Sequence, residues 1–277
     1  MSGKVHYGMS WPDYRALKRL NFSTLKHMAR SPLHYAHAVE WGDAPKPSYS
    51  LGAASHCALL EPGRFDAEFV VYSKRRQSKE WDAFEAAALA KNLTILTQTE
   101  YREATAMAAA VRRNKLAAKH LAAGNAEVRV TWDLESPPLG ATPGFRFECK
   151  AGLDWLTPDA IVEFKSTRDA SKEAFEKDVE RYRYHTQAAF QVDGHQQATG
   201  RRLPHFIIAV ESHAPYASNV FRVGEELLRI GREEYTTLLG RLDDCRRTKT
   251  WAGYSETELE LELPRWAKRF EETLEVA

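Results

Sequence analysis

The chain has 277 residues, of which 43% are hydrophobic and 28% charged, which suits a globular protein with a sizeable core. Its formal net charge of +1 excludes a global basic field for nucleic acid, so such recognition would have to rely on local clusters of Lys and Arg. Three widely spaced cysteines argue against a disulfide framework or a zinc site. No stretch resembles a signal peptide or the roughly 20 apolar residues of a membrane helix. We therefore expect a cytoplasmic protein without a membrane partner.

The N-terminal part is predicted to form short helices. Ser23 can cap one helix, and Ser31 with Pro32 provides the residue types favoured at the N-cap and first position of the next. A loop with two prolines over 43–50 leads to a further helix. That helix should end at 61–63, because Pro cannot continue a helix and Gly suits its C-terminal turn.

The following segment is predicted to alternate between helix and irregular structure. Residues 64–72 have the pattern of a short strand, and the polar, basic run at 74–80 is typical of a loop. Segments rich in Ala and Leu at 81–91 and 98–123 predict two helices.

After Gly124 the hydrophobic period changes from that of a helix to that of a strand. Strands are predicted at 126–134, 145–156 and 160–167, with Gly152 a candidate bulge. Turn residues at Pro137, Pro138 and Gly140, and again at 157–159, predict a β-meander with tight connections.

The remaining pattern predicts helices at 171–179, 182–198, 224–247 and 264–275, and strands at 204–211 and 219–223. The fold class is therefore α+β, with a central mixed β-sheet flanked by helices. We expect a single domain over 1–277, divided into a mainly helical part (1–123), a sheet with its helices (124–223) and a helical C-terminal part (224–277).

Two carboxylates and a lysine in the meander have the arrangement of a metal site. Glu163 and Lys165 project from the same face of one strand, and the turn at 157–159 brings Asp154 beside Glu163. Paired carboxylates repel unless a cation lies between them, and Mg²⁺ prefers such oxygen ligands, to which the backbone carbonyl of Phe164 could be added. Lys165 could then orient or deprotonate water, or stabilise transition-state charge. On spacing alone, an exposed ladder of ion pairs is the favoured interpretation.

The motif Asp154-x8-Glu163-x-Lys165 resembles that of the PD-(D/E)XK nuclease superfamily. The run from FECKAGLDWLTPDAIVEFKSTRDAS to YRYHTQAAFQVDG, with LGAASHCALLEPGRF upstream, is similar to the RecE (exonuclease VIII) nuclease and its phage relatives. This resemblance implies a PD-(D/E)XK nuclease core with helical N-terminal additions. It also implies exonuclease activity that degrades linear double-stranded DNA, from 5′ to 3′, with one or two Mg²⁺ ions, for which Mn²⁺ can substitute.

The resemblance also implies roles for individual residues. Asp154 and Glu163 stand at its metal-binding acids and Lys165 at its catalytic lysine. His56 and Glu127 match residues that contribute to the metal site, and Glu127 also counts among the catalytic candidates. Without the resemblance, His56 would be a satisfied core histidine and Glu127 a solvent-facing strand residue.

A helical glutamine of the family is matched by Gln187, which is a further catalytic candidate. Tyr184 lies three residues earlier on the same helical face. Three positions depart from the family pattern, since Gly152 replaces a common arginine, Leu153 a usual proline and Gln191 a frequent tyrosine. The missing arginine removes one phosphate contact.

Predicted DNA contacts are mainly basic, and each could equally be part of a solvated charged surface. They are Arg75, Arg76, Arg168, Lys172, Arg183 and the ring of Tyr184.

The resemblance implies a homo-oligomeric ring around duplex DNA ends and a single-strand-annealing recombinase as partner, in phage or prophage DNA recombination. Two alternatives remain. One is a nuclease of other polarity or substrate, such as a Cas4-like single-strand exonuclease, although such chains usually carry four cysteines. The other is a non-catalytic DNA-end-binding module.

Overall fold

The computed structural model describes residues 3–42, 47–135 and 144–263. Of the predicted loop at 43–50, only 47–50 is described, and the loop prediction is wrong there because the next helix already begins at Pro47. The turn at Pro137, Pro138 and Gly140 and the helix at 264–275 lie outside the described residues, and the division into three parts of one domain stays a prediction.

A six-stranded mixed sheet forms the centre of the protein, in the order β1-β4-β5-β6-β7-β8. Its strands are β1 (Gly3–His6), β4 (Asn125–Glu135), β5 (Arg146–Leu156), β6 (Ile161–Thr167), β7 (His205–Glu211) and β8 (Ser218–Arg222). β6 and β7 are parallel and the other neighbours antiparallel. β2 (Phe69–Val71) and β3 (Thr94–Leu96) form a separate parallel pair.

Helices cover both faces of this sheet. The short helices near the N-terminus are α1 (Trp11–Ala16), α2 (Phe22–Leu25), a 3-10 helix (Lys26–Ala29) and α3 (Pro32–Trp41). They are followed by α4 (Pro47–Leu60), α5 (Pro62–Glu68), α6 (Lys79–Ala90), α7 (Gln98–Arg113) and α8 (Lys115–Leu121). After the meander come α9 (Lys172–Tyr182), α10 (Tyr184–Thr199) and α11 (Glu225–Thr248).

Two hydrophobic clusters separate the layers. In one, Phe190 of α10 and Leu239 of α11 pack with the apolar side chains of β4 and β5. In the other, α4, α5, α7 and α8 pack against the opposite face through residues such as Met107 and Phe164. The predicted α+β class, a central mixed sheet flanked by helices, is therefore confirmed. In the described parts of the chain, no helix combines the length and the apolar character needed to cross a bilayer.

Strand β4 is locally irregular at Glu127, which has a left-handed φ of 53°. Val128, Val130 and Trp132 face the α10 side, whereas Ala126 joins the cluster on the α4 side. A non-glycine residue rarely adopts positive φ, and holding it there costs on the order of 1–3 kcal/mol. Because of this conformation, the even-numbered side chains of β4 lie on one face of the sheet before Glu127 and on the other face after it.

Several predicted elements are corrected. Residues 64–68 belong to α5 rather than to a strand, because Pro62 begins a new helix as well as ending the previous one, and only Phe69–Val71 is extended. The predicted helix over 98–123 is two helices, because the side chain of Asn114 caps α8.

The predicted cap at Ser23 is wrong, since Asn21 accepts from Thr24 N–H and begins α2. The bulge at Gly152 is also wrong, because Gly152 pairs in continuous register with Arg129. Strands β1 and β3 were not predicted. Gly3 allows β1 to approach β4 closely, since a Cβ at Gly3 would lie 2.7 Å from the carbonyl oxygen of Thr131 in β4.

Candidate metal centre

Three potential metal ligands converge, one each from α4, β4 and β5. His56 Nδ1 lies 3.3 Å from Glu127 Oε1, and its Nε2 lies 3.1 Å from Asp154 Oδ1. One ligand atom from each of the three residues falls within 4.8 Å of the others. The structure therefore brings together His56, Glu127 and Asp154, which the sequence predicts as ligands from three separate segments.

The strand pair β5–β6 opens at this point. Backbone pairing joins Trp155 to Val162 and Leu156 to Ile161. At the next position, side chains take over: Phe164 N–H donates to Asp154 Oδ2 at 2.9 Å, and Asp154 N–H donates to Glu163 Oε1 at 3.3 Å. The predicted proximity of Asp154 and Glu163 is thus observed. The structure shows the N–H of Phe164 in use, while its carbonyl as a ligand stays a prediction.

Glu163 lies one layer deeper than the three converging ligands and is only 1% exposed. Its Oε2 accepts from Lys165 Nζ at 2.9 Å and from Gln187 Nε2 at 3.0 Å. Its Oε1 accepts from Gln191 Nε2 at 2.8 Å. With the N–H of Asp154, four donors therefore satisfy a carboxylate that would be very costly to bury alone.

The electrostatics of His56 are dominated by its acidic neighbours. Burial opposes a charge on the ring, but attraction and a hydrogen bond to Asp154, together with attraction to Glu127, raise its pKa to about 9. Burial likewise disfavours the charged form of Asp154, yet His56 and Lys165 lower its pKa well below the ordinary range. At neutral pH the protonated ring of His56 therefore lies between the acidic groups of Asp154 and Glu127.

The remaining charged groups show the crowding of the site. Burial and repulsion by Asp154 raise the pKa of Glu163, and the same two causes raise that of Glu127. Burial opposes the charge on Lys165, but Glu163 and Asp154 raise its pKa above the usual value. Lys165 is accordingly an ammonium group in this arrangement, which favours stabilisation of charge over deprotonation of water.

The donor set fits a divalent cation. Two carboxylates and one imidazole are suitable ligands for Mg²⁺ or Mn²⁺, and carboxylates this close repel unless positive charge lies between them. The positive charge between Glu127 and Asp154 is carried by the His56 ring. A cation would replace the proton that holds this cluster together.

Three contributors escaped the sequence interpretation. Gln191, set aside because it departs from the family pattern, donates to Glu163, and its Oε1 accepts from Nε2–H of the buried His205 at 2.9 Å. His205 is therefore the second of these contributors. The spacing of four between Gln187 and Gln191 places both on one helical face, which could have indicated Gln191. Arg129 pairs with Glu127, and its guanidinium occupies the space that a Cβ at position 152 would need.

Two predicted DNA contacts lie at the start of α10, the helix that carries Gln187. The Nζ of Lys165 is 5.1 Å from the centre of the Tyr184 ring. Arg183, in the left-handed conformation between α9 and α10, pairs with Glu234 of α11. Both DNA roles stay predictions, and that of Arg183 would require this ion pair to open or be shared.

The other predicted DNA contacts are spread over the surface. Arg75 and Arg76 precede α6, where Arg76 lies 5.0 Å from the Trp81 ring centre. Arg168 and Lys172 are exposed near the start of α9. Their roles likewise stay predictions.

Comparison with known proteins supports this interpretation of the fold. A model of the family described as "PDDEXK-like domain of unknown function (DUF3799)" matches residues 21–260. Among solved structures, a "Putative exonuclease" from Eubacterium rectale is similar, with a TM-score of 0.62, 14% identity, and coverage of 95% of this chain and 98% of that one. At that identity the likeness shows the fold alone. No curated protein matches the chain.

Proposed function

The chain belongs to the PDDEXK-like family whose model it matches over residues 21–260, and from this premise we propose that it is a nuclease dependent on a divalent metal. The observation that carries the proposal is the convergence of His56, Glu127 and Asp154 within 4.8 Å. Beside them, the Glu163–Lys165 pair completes the acidic and basic groups expected of this family's motif. A purely structural ion-pair ladder would not require a histidine from a separate helix between two carboxylates.

The residues have distinct tasks in this proposal. His56, Glu127 and Asp154 would hold Mg²⁺ or Mn²⁺, with Glu163 as a further acidic group. The ion would supply Lewis-acid stabilisation of the phosphodiester and make water more acidic. Lys165, held at 2.9 Å by Glu163, presents a fixed ammonium group to the charge that develops on phosphate.

The glutamines act on Glu163 rather than on the ion. Gln187 and Gln191 donate to different oxygens of its carboxylate and so fix its orientation. Gln191 also donates to the Gly152 carbonyl at 2.8 Å, which ties α10 to β5. We therefore assign both as positioning residues.

We extend the proposal to a Mg²⁺-dependent exodeoxyribonuclease that degrades linear double-stranded DNA, with 5′→3′ polarity. The resemblance to RecE-like nucleases supports this substrate and polarity, and the fold shared with the Eubacterium rectale protein is compatible with it. A homo-oligomeric ring, an annealing recombinase as partner and a role in phage recombination rest on the resemblance alone. A nuclease of other polarity is the alternative that a labelled-end assay distinguishes.

The test compares linear duplex DNA, labelled at the 5′ or 3′ end, with internally labelled, covalently closed duplex DNA, in the presence of Mg²⁺, Mn²⁺ or EDTA. We expect metal-dependent release of 5′ nucleotides from linear DNA and none from closed circles. Lys165→Ala should lower kcat by about 100- to 1,000-fold. Lys91→Ala, which removes an exposed lysine after α6, is the matched control.

Several outcomes would overturn parts of the proposal. Cleavage of closed circles would exclude a strict exonuclease, and release from 3′ ends would reverse the polarity. Undiminished cleavage by Lys165→Ala, or by Asp154→Asn with its fold intact by circular dichroism, would remove the proposed active site. Binding of duplex ends without any turnover would support the non-catalytic module instead.

A further inference from the structure

An exposed tryptophan lies beside the candidate metal centre. Trp11, the first residue of α1, is 53% exposed and stacks on Tyr14 with ring centres 5.5 Å apart and planes inclined by 24°. The Cζ of Arg129 lies 5.3 Å from the Trp11 ring centre and 4.9 Å from that of Tyr14. Since Arg129 pairs with Glu127, two contacts connect Trp11 to a candidate metal ligand.

The helix that carries Trp11 is held firmly. Ser10 accepts from Asp13 N–H at its N-terminus, and Pro12 occupies its first turn. At its other end, the buried Lys150 donates to the carbonyls of Tyr14 and Leu17 at 2.8 and 2.7 Å. A charged lysine is rarely buried without such partners, so the fold orders α1 despite the exposure of its first side chain.

The charge of the segment that carries Trp11 favours an anionic aromatic partner. Residues 3–20 contain Lys4, Arg15, Lys18 and Arg19 but only one acidic residue, Asp13, in a chain whose net charge is close to zero. Of the four basic residues, Lys4, Arg15 and Lys18 are exposed. A half-exposed indole in a segment with an excess of exposed basic residues is suited to stack on a nucleobase while the cations attract phosphates.

We propose that Trp11 is a stacking platform for an unpaired base of the DNA strand whose phosphodiester lies at the carboxylate cluster. This inference rests on the proposed nuclease function and identifies the substrate class as a frayed or single-stranded end. Tyr14 and Arg129 support the indole from below, and Arg129 couples the platform to Glu127. A base stacked there positions the adjacent backbone beside the metal ligands.

The experiment varies the base and the indole together. Degradation and binding of a linear duplex with natural ends are compared with those of the same duplex carrying tetrahydrofuran abasic nucleotides at the ends of both strands. For the wild-type protein, the abasic ends should raise KM and Kd by about 5- to 150-fold, the range of base–aromatic stacking. In Trp11→Ala this ratio should fall to near one, whereas Trp11→Phe should retain much of it.

Trp41→Ala is the matched control, because Trp41 is also exposed, at 72%, and lies at the end of α3. It should keep the wild-type ratio. An unchanged ratio in Trp11→Ala would overturn the platform, as would an equal loss with natural and abasic ends, which indicates a structural role or a protein-docking surface. If the wild-type protein shows the ratio in binding but never cleaves, the platform stands and the nuclease proposal fails.

Discussion

Binding of a divalent ion to the carboxylate cluster should release about one proton per chain, and His56 should be its source. Without metal the pKa of His56 is raised to about 9, against an ordinary value of 6.5, because the ring lies between Asp154 and Glu127. At pH 7 the protonated form then predominates by about 100 to 1. A metal ion requires the neutral ring as ligand, so the proton must leave.

The magnitude follows from this pKa. Between pH 7 and about 9 the apparent association constant should rise by about tenfold per pH unit, and above that range the pH dependence from this group should vanish. Isothermal titration with Mn²⁺ in buffers of different ionisation enthalpy measures the released protons directly. His56→Asn should abolish the release, while His37→Asn, on the exposed side of α3, should preserve it.

The same raised pKa makes a prediction for the metal-free protein. A group with a higher pKa in the folded state stabilises that state fully below its unfolded pKa of 6.5 and loses this contribution as the pH rises towards 9. The shift corresponds to about 3 kcal/mol in the free energy of unfolding, measurable by urea denaturation in EDTA.

In the metal titration, absence of proton release from the wild-type protein, or equal release from His56→Asn, would refute the assignment of the bridging imidazolium.

Three further substitutions test the contacts that hold the fold and the site together. Gly194→Ala should lower the free energy of unfolding by about 1–3 kcal/mol, measured by denaturant titration, because its Cβ would lie 2.6 Å from the fully buried Trp132 ring. Gln191→Met should cost about 1–3 kcal/mol in the same assay, because the buried carboxylate of Glu163 loses a donor, and an unchanged midpoint would contradict the observed bond. Asn114→Ala should cost about 0.5–2 kcal/mol, seen as a lower Tm, because it removes the N-cap of α8, whereas a stabilised variant would show that the cap is dispensable.

Local sequence patterns were sufficient for much of the fold. Alternation of apolar residues predicted β4, β5 and β6, and the turn at 157–159 was enough to place Asp154 beside Glu163. The family resemblance then selected His56 and Glu127 from distant segments, and both lie at the cluster. The secondary-structure prediction failed where one residue type is compatible with two local structures. Pro62, for example, both ends α4 and begins α5.

The sequence by itself determined which chemistry is present: the acidic pair, the lysine two residues along the same strand, and the alternation that builds a mixed sheet. Only the tertiary structure decided which of these groups lie together as metal ligands and which are buried behind them. His56, Glu127 and Asp154 converge as ligands, while Glu163 turns inward to Lys165 and the glutamines of α10. Periodicity reports which face of an element is buried, but contacts between elements depend on how they pack and on local departures such as the positive φ of Glu127, which no local pattern encodes.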